Sequence, residues 1–353
     1  MIATAPGKLI VTGEYAVLDG ATALVVAVDR RAVARRNAQP RGSSPFLVAV
    51  AAEIAARWGA DHPAAGAALE ISVDSSAFYD RASQRRLAVT PLGSSVAASA
   101  IDPGRPAGIG GGQKLGLGSS AAVTVAATAL ALESLDRRSA IDRDEILEVA
   151  LAAHARAQGP RGARGSGADI AASVHGGTIA FSRPAAGPCQ IERRTWPDSV
   201  TLVPFFTGAA ADTAQLVARV QAAREADRAA VDAALAAIAE ASRTACAAIA
   251  AAPDIAPIAL IGAIALAAAA TDRLAAATRI DLVPACVTAA RRALARLGGT
   301  AKTTGAGGGD VGIAVAPAAV DETEVARRLI EAGCQPLRIA VDDTGVDLRP
   351  DAS

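Results

Sequence analysis

The sequence predicts an α+β protein built from two halves, and three observations support this. Strand-like and helix-like patterns alternate along its 353 residues, 52% of which are hydrophobic, so the chain can bury a large core. Proline and glycine cluster in RPAAGPCQ (183–190), where we expect a junction between domains 1–185 and 186–353. Glycine-rich loops occur in both halves. We therefore expect two domains of ordinary size.

Turn and cap residues divide the first half into elements. Ser44 and Pro45 suit the start of a helix that would end at Gly59, and Asp142 with Glu145 has the spacing of a capping box. The predicted order is strand 22–36, helix 44–59, strand 67–75, a helix from the glycine-rich loop to about residue 135, helix 142–159, a short helix within 159–177 and strand 178–182. This half therefore mixes strands with the helices that connect them.

The second half opens with an apolar strand and continues with long alanine-rich helices. Its predicted order is strand 200–208, helices between about 212 and 297, strand 311–316, helix 321–333 and a last strand 336–341. The stretch 255–270 lacks charge, yet it is shorter than the roughly 20 residues of a membrane span. We interpret it as a buried helix.

Composition excludes several classes of function. Lys plus Arg and Asp plus Glu both number 35, so no net charge draws the chain to nucleic acid or to an anionic membrane. The four cysteines are far apart and form no CxxC pair, which indicates free thiols in a reducing compartment. The start, MIATAPGKL, does not resemble a secretion signal. We expect a cytoplasmic protein without nucleic-acid or membrane partners, as a monomer or a homodimer.

Three glycine motifs carry the functional signal: APGKLIVTGEYAVLDG (5–20), KLGLGSSAA (114–122) and KTTGAGGGDVGIAV (302–315). A glycine loop that runs into a helix N-terminus offers backbone N–H groups to an anion, and the middle motif has this form. Ser119 and Ser120 add hydroxyls at the helix start, one for Mg²⁺ and the other for a phosphate oxygen. The Walker pattern GxxxxGK[ST] is absent, and glycine also serves plain turns, so the loop alone does not decide the function.

The lysines reinforce this interpretation. The chain has only three, Lys8, Lys114 and Lys302, and each falls in one of the glycine motifs, whereas arginines are scattered along the sequence. A compact ammonium with three donors suits a phosphate in a tight site. We expect at least two of the lysines to contact phosphate, and Lys302 has the alternative of a solvated helix end.

Carboxylates near the motifs are candidates for the remaining chemistry. Asp169 lies in GSGAD, just after Ser166, where a loop runs into a short predicted helix. It could take part in catalysis, or it could simply cap the helix. Glu14 and Asp310 have similar alternatives, a solvated turn for Glu14 and a contact within a glycine turn for Asp310.

These three stretches, in this order, resemble the motifs of the GHMP kinase superfamily, which includes galactokinase, homoserine kinase, mevalonate kinase and phosphomevalonate kinase. The resemblance covers nearly the whole chain. It implies a ribosomal protein S5 domain 2-like N-terminal domain, a ferredoxin-like C-terminal domain and an active site between them. Within the superfamily the motifs are similar to those of the phosphomevalonate kinases, because Tyr15 follows Glu14 where mevalonate kinases usually have histidine.

The resemblance also implies roles for individual residues. ATP would contact Lys114, Gly116, Leu117, Gly118, Ser119, Ser120 and Ala121; the acceptor would contact Lys8, Tyr15, Ser166, Gly305, Ala306, Gly307 and Gly308; and Ser120 would bind Mg²⁺. Lys8, Lys114 and Asp169 would be catalytic, with Lys8 near the transferred phosphoryl and Asp169 at the position of the family's catalytic aspartate. The stretch 80–112 matches nothing in the family motifs and leaves other acceptor contacts open.

Three functions remain open at this point. The first is phosphoryl transfer from ATP to 5-phosphomevalonate, an acceptor that is already ionised and needs cations such as Arg161 and Arg164 more than a base. The second is transfer to an alcohol such as mevalonate or a sugar, for which Asp169 would be a general base. The third is a silent nucleotide-binding regulator. The resemblance favours the first, in which Asp169 chiefly orients Lys8 or Mg²⁺.

Overall fold

The computed structural model describes residues 1–36, 44–79, 113–133, 142–159, 165–251 and 255–351. The stretch 80–112 and the cations Arg161 and Arg164, which the sequence analysis singled out, lie outside the described residues.

Strands and helices alternate along the chain. In chain order the strands are β1 Ile2–Thr12, β2 Ala23–Arg36, β3 Ile71–Asp74, β4 Thr178–Ser182, β5 Gln190–Arg194, β6 Val200–Phe206, β7 Thr300–Thr303, β8 Val311–Pro317, β9 Gln335–Pro336 and β10 Asp347–Arg349. The helices are α1 Pro45–Trp58, α2 Pro63–Leu69, α3 Ser119–Glu133, α4 Arg143–Gln158, α5 Ala168–His175, α6 Thr213–Ala226, α7 Arg228–Ala248, α8 Ala256–Thr278, α9 Ala285–Ala295 and α10 Glu322–Glu331. The caps predicted for α1 and α4 form, with Ser44 and Asp142 accepting backbone N–H groups.

The first layer is an antiparallel sheet in the order β10-β1-β2-β4-β5, with β3 paired to the far end of β2. Helices α1 to α5 gather on one face, and α3 and α5 lie directly against β1 and β2. Because α3 consists mostly of small side chains, its backbone can approach the sheet closely, and all but three of its 15 residues are buried. The sheet thus fixes the first turn of α3, which follows the middle glycine motif.

The second layer is an antiparallel sheet in the order β7-β8-β6-β9. Alternation along β8 directs Val311, Ile313 and Val315 to one face and Ala314 and Ala316 to the other. The alanine face packs against α9 and α10. The valine and isoleucine side chains join α8 and residues of β1 and β2 in one core shared by both sheets. This is the α+β arrangement of two halves that the sequence predicts.

The first sheet includes chain segments from beyond residue 185. Strand β5 pairs with β4, and β10, near the C-terminus, pairs with β1. Arg31 of β2 holds the approach to β10, because it forms an ion pair with Asp342 and donates to the carbonyl of Gly345 at 2.6 Å. We propose that the N-terminal domain extends to about residue 194 and also includes β10.

Two predicted strands are wrong in their bounds. The strand predicted at 67–75 begins inside helix α2, which Pro63 starts, and only β3 is extended. The last strand predicted at 336–341 overlaps the observed β9 only at Pro336, where β9 ends. Leu337, Ile339 and Val341 instead pack into the shared core as the chain crosses from the second sheet to the first. The segment pairs with β2 through an isolated bridge between Val341 and Val28, so its alternation reflects burial rather than a continuous strand.

Helix α8 contains most of the segment 255–270 that was predicted to be a buried helix, but it extends to Thr278 and is therefore longer than expected. Over Pro257–Thr278 it has the length and apolar composition of a membrane span, with a mean hydropathy of 1.7, and half of it is buried inside the fold. Leu260 and Ile264 pack into the shared core, while Ile258 and Leu266 are exposed. Core helices have the same length and composition, so the feature is weak evidence for a membrane.

Burial of α3 predicts the cost of shortening its side chains. Leu130→Ala should lower the free energy of unfolding by about 2–5 kcal/mol, because Leu130 is fully buried and its removal leaves a cavity. Leu266→Ala on α8 is the matched control and should cost less than about 1 kcal/mol, because Leu266 is 55% exposed. Urea denaturation followed by circular dichroism measures both. Equal losses would contradict the burial of α3.

Candidate active site

The middle glycine motif forms a tight loop before α3. Gly116 and Gly118 adopt left-handed backbone conformations, with φ of 67° and 77°, which glycine adopts without strain. Leu117, between them, is fully buried in the shared core, and its carbonyl accepts a hydrogen bond from the backbone N–H of Lys8 at 2.9 Å. The loop is therefore anchored to β1 at its centre.

Lys8 brings the first motif onto this loop. Its aliphatic stem lies over Gly118, where an added Cβ would come within 3.1 Å of Cγ and 3.2 Å of Cε. A side chain at position 118 would thus push the lysine away. Lys114, at the start of the loop, is exposed and is joined to Tyr79 by a backbone bridge.

Asp169 lies in the first turn of α5, half-buried. Its Oδ1 accepts the backbone N–H of Ile170 at 3.0 Å, and Ser166 Oγ accepts that of Ala168 at 3.2 Å. Ser173 of the same helix donates to the carbonyl of Pro6 at 2.5 Å, so α5 is bound to β1 close to Lys8. Ser166 and Asp169 thus each accept one backbone N–H group at the start of α5, so Asp169 shares the capping of this helix with Ser166.

The third motif reaches the middle motif through Asp310. A Cβ at Gly116 would lie 2.6 Å from Asp310 Oδ2, so the carboxylate lies against the glycine loop. Asp310 has a φ of 52°, and its Oδ1 accepts the N–H of Ala211 at 3.2 Å. Burial raises the pKa of Asp310, and the Ala211 N–H and the charges of Lys114 and Lys8 oppose that rise. A contact within the glycine turn was one alternative considered for Asp310; its carboxylate instead accepts the Ala211 N–H, and its place beside the loop was missed.

Tyr15 joins the first motif to the loop at 305–308. Its hydroxyl donates to the carbonyl of Ala306 at 2.6 Å, and its side chain is mostly buried. Burial, and then the charge of Glu14, raises the pKa of the phenol well above its usual range, which keeps it a donor. The N–H of Gly308 in turn donates to Leu282 at 2.8 Å, which holds the loop to the second half.

Lys302 and Glu14 are not where the sequence analysis expected them. Both side chains are buried and form an ion pair through Lys302 Nζ and Glu14 Oε1, and Nζ also donates to the carbonyl of Thr303 at 2.7 Å. The solvated helix end considered for Lys302 and the solvated turn considered for Glu14 are both wrong. Burial raises the pKa of Glu14, and Lys302 opposes the rise.

His154 is a site residue that sequence reasoning missed. Its Nε2 lies 3.2 Å from Ser120 Oγ and 3.2 Å from Gln158 Nε2, and its ring stacks on Phe46 at 5.6 Å between centroids. Because His154 is buried, its ring holds the Ser120 hydroxyl from the interior side of the site. The spacing of His154 and Gln158 by four residues on a predicted helix was the available signal, because such residues share a face.

The donor set at the start of α3 fits Mg²⁺ bound together with phosphate. The described residues contain no group of three or more His, Cys, Asp or Glu side chains that could hold a metal by themselves. Mg²⁺ commonly takes one or two protein oxygens and completes its shell with phosphate and water. The half-buried Ser120 hydroxyl is an oxygen donor of that kind.

The chain matches known proteins along nearly its whole length. Residues 107–177 match the N-terminal domain of the GHMP kinases. The chain is 30% identical to the phosphomevalonate kinase of Streptomyces sp. (strain CL190) over 371 aligned residues, which cover 94% of this chain and 95% of the relative.

Solved structures agree with the fold. The Lin0012 protein of Listeria innocua has a TM-score of 0.74 at 22% identity, covering 99% of both chains. The phosphomevalonate kinase of Streptococcus pneumoniae, in complex with phosphomevalonate and AMPPNP, has a TM-score of 0.68 at 18% identity, covering 97% of this chain and 100% of that one.

The match to the GHMP kinase N-terminal domain and the nearly full-length match to a curated kinase define the class of protein as a small-molecule kinase. The protein belongs to the GHMP kinase family, among its members of the mevalonate pathway, and it is an ATP-dependent kinase. The predicted α+β two-domain GHMP kinase fold is confirmed.

The contact between Lys8 and the glycine loop predicts a sensitive position. Gly118→Ala should lower kcat/KM for ATP by about 100-fold or more, because the new Cβ displaces Lys8 and the left-handed backbone becomes strained. Gly66→Ala in α2 is the matched control and should leave kcat/KM unchanged, because nothing lies within 4 Å of its added Cβ. Initial rates of ADP formation measure both. A Gly118→Ala enzyme with wild-type kcat/KM would exclude the proposed phosphate loop.

Proposed function

We propose that the protein is a phosphomevalonate kinase, which transfers the γ-phosphate of ATP to (R)-5-phosphomevalonate and releases (R)-5-diphosphomevalonate and ADP. The observation that carries the proposal is 30% identity, over nearly the full length of both chains, to a phosphomevalonate kinase. The Tyr15 side chain supports it, since this residue distinguishes the motif from that of the mevalonate kinases and contacts the third motif at Ala306.

The charge of the acceptor explains what the site has to supply. A phosphate monoester has a second pKa of about 6 and is already mostly a dianion at neutral pH, so it needs little help from a base. Its approach to ATP brings two polyanions together, and that repulsion requires nearby cations. Lys8 over the glycine loop and Lys114 at the start of the loop are the cations available among the described residues of the first two motifs.

Each predicted site residue then has a task. Lys8 stabilises the transferred phosphoryl, Lys114 binds the nucleotide phosphates, and Asp169 orients Lys8 or Mg²⁺. The backbone and hydroxyls of the middle motif bind ATP through Gly116, Leu117, Gly118, Ser119, Ser120 and Ala121. The acceptor is held between Lys8, Tyr15, Ser166 and the loop of Gly305, Ala306, Gly307 and Gly308.

Mg²⁺ would be held by the Ser120 hydroxyl and ATP. When bound, it neutralises charge on the phosphate oxygens. The chain's own part is to hold the hydroxyl in place, which the contact between Ser120 Oγ and His154 Nε2 does. The proposed localisation is the cytoplasm, and the oligomeric state is proposed to be a monomer or a homodimer.

Acceptor choice tests the proposal directly. Purified protein with MgATP, offered (R)-mevalonate and (R)-5-phosphomevalonate separately, should release ADP only with the phosphorylated acceptor. Coupled detection of ADP measures the rate, and mass spectrometry identifies the product. Turnover of mevalonate alone would overturn the proposal in favour of an alcohol kinase. Silence with both acceptors, in protein that binds ATP, would favour the regulator.

Asp169→Asn separates orientation from proton abstraction. We expect kcat to fall by about 100-fold or more while the pH profile above about pH 7 keeps its wild-type shape, because the acceptor is already ionised there. The matched control is Asp61→Asn at an exposed turn, which should leave kcat unchanged. Rates measured from about one pH unit below pH 7 to about two units above it distinguish orientation from proton abstraction. A mutant rate that rises steeply with hydroxide would instead identify Asp169 as a base.

A further inference from the structure

Residues 12–15, in the middle of the first motif, bind the second half of the chain through three side chains. Thr12 Oγ1 and Ser242 Oγ are 2.9 Å apart, Glu14 pairs with Lys302, and Tyr15 donates to Ala306. All three contacts fall within the short segment that follows Lys8 along the chain. A shift of the third motif relative to the glycine loop must therefore act on this segment.

Of the three contacts, the ion pair has a feature that packing alone does not explain. Glu14 and Lys302 are 2% and 0% exposed, and only Oε1 of Glu14 is paired with the lysine. Oε2 is buried and has no hydrogen-bond partner among the described residues. A buried carboxylate oxygen without a partner is costly, so a donor to Oε2 would stabilise the carboxylate.

Lys8 is our candidate for that donor. Its charge reaches Glu14, where it lowers the pKa of the carboxyl together with Lys302, against the larger effect of burial. The stem of Lys8 lies over Gly118, and the ammonium is at the far end of that flexible stem. Lys302 is already committed to Oε1 and to the carbonyl of Thr303.

We propose that Glu14 is a positioning residue that acts through Lys8: its Oε1 holds Lys302, and its buried, unpartnered Oε2 orients the Lys8 ammonium over the glycine loop. In this arrangement the Glu14 carboxylate is shared between Lys302 and Lys8. Lys302 already neutralises part of the carboxylate charge, so Glu14 attracts Lys8 less strongly. The Lys8 ammonium can therefore contact phosphate while Glu14 still orients it. The third motif would thereby be coupled to the lysine at the reacting phosphoryl. This inference rests on the proposed role of Lys8.

A neutral replacement of the whole pair separates this role from plain packing. Glu14→Gln combined with Lys302→Met removes both charges at similar volume, and such replacements of buried pairs often preserve stability. We expect a Tm near that of the wild type, KM for ATP within about threefold, and kcat reduced by about 10- to 100-fold, because Lys8 is no longer oriented. A double variant with wild-type kcat would overturn the proposal.

A double-mutant cycle with Lys8 tests whether the effect of the Glu14–Lys302 pair on kcat depends on Lys8. In a Lys8→Met background, the Glu14→Gln and Lys302→Met changes should lower kcat by less than about twofold further, because their target is already gone. Full additivity would contradict the proposal. Ser242→Ala is the matched control: it breaks another tether of the same segment, at Thr12, and should lower Tm without changing kcat.

A spectroscopic readout does not depend on the acceptor. The chain has three lysines, so protein labelled with ¹³Cε-lysine gives three signals. In the Glu14→Gln/Lys302→Met variant the Lys8 signal should shift and the Lys114 signal should stay in place; an unchanged Lys8 signal would count against the proposal. This result is informative even if the wild type phosphorylates a different acceptor, in which case kcat is measured with that one.

Glu14→Asp covers the case in which the double variant does not fold. It keeps the charge beside Lys302 and shortens the side chain by one carbon, so it should fold. We expect reduced kcat with KM for ATP within about threefold of the wild type, because the carboxylate can no longer serve both lysines. Wild-type kcat in Glu14→Asp would overturn the proposal.

Discussion

The missing side chains at Gly116 and Gly118 are the constraint on which the site depends. Gly118 lets the stem of Lys8 lie on the loop before α3, and Gly116 lets the carboxylate of Asp310 lie against the same loop. A side chain at position 116 would collide with Asp310, and one at position 118 would shift the stem of Lys8 by a few tenths of an ångström. Three stretches far apart in the sequence therefore meet because backbone approaches side chain directly, as glycine allows.

Charge is balanced locally around this contact. The charge of Lys302 is neutralised by Glu14 in a buried ion pair. The charges of Lys8 and Lys114 both act on Asp310 beside the loop. A chain with equal numbers of acidic and basic residues has no global field to attract a polyanion, so a few placed cations must do so. The shared core beneath the loop, where Leu117 is fully buried, keeps those cations in place.

Sequence reasoning succeeded where the signal is local. The cap at Ser44, the glycine loop and the helix after it depend on neighbouring residues, and the structure has them where they were predicted. It failed at Lys302, because the partner that makes burial possible is 288 positions away. The final strand β10 was missed for a similar reason: three residues find their place only by pairing with β1. His154 was overlooked, since its contact to Ser120 joins two helices.

The measurement that tests the account most directly is a crystal structure with a non-hydrolysable ATP analogue, Mg²⁺ and (R)-5-phosphomevalonate. The account predicts nucleotide phosphates at the N–H groups of Gly118 and Ser119, with Lys8 Nζ between the γ-phosphate and the acceptor phosphate. Nucleotide bound elsewhere, or Lys8 turned away from both phosphates, would contradict it.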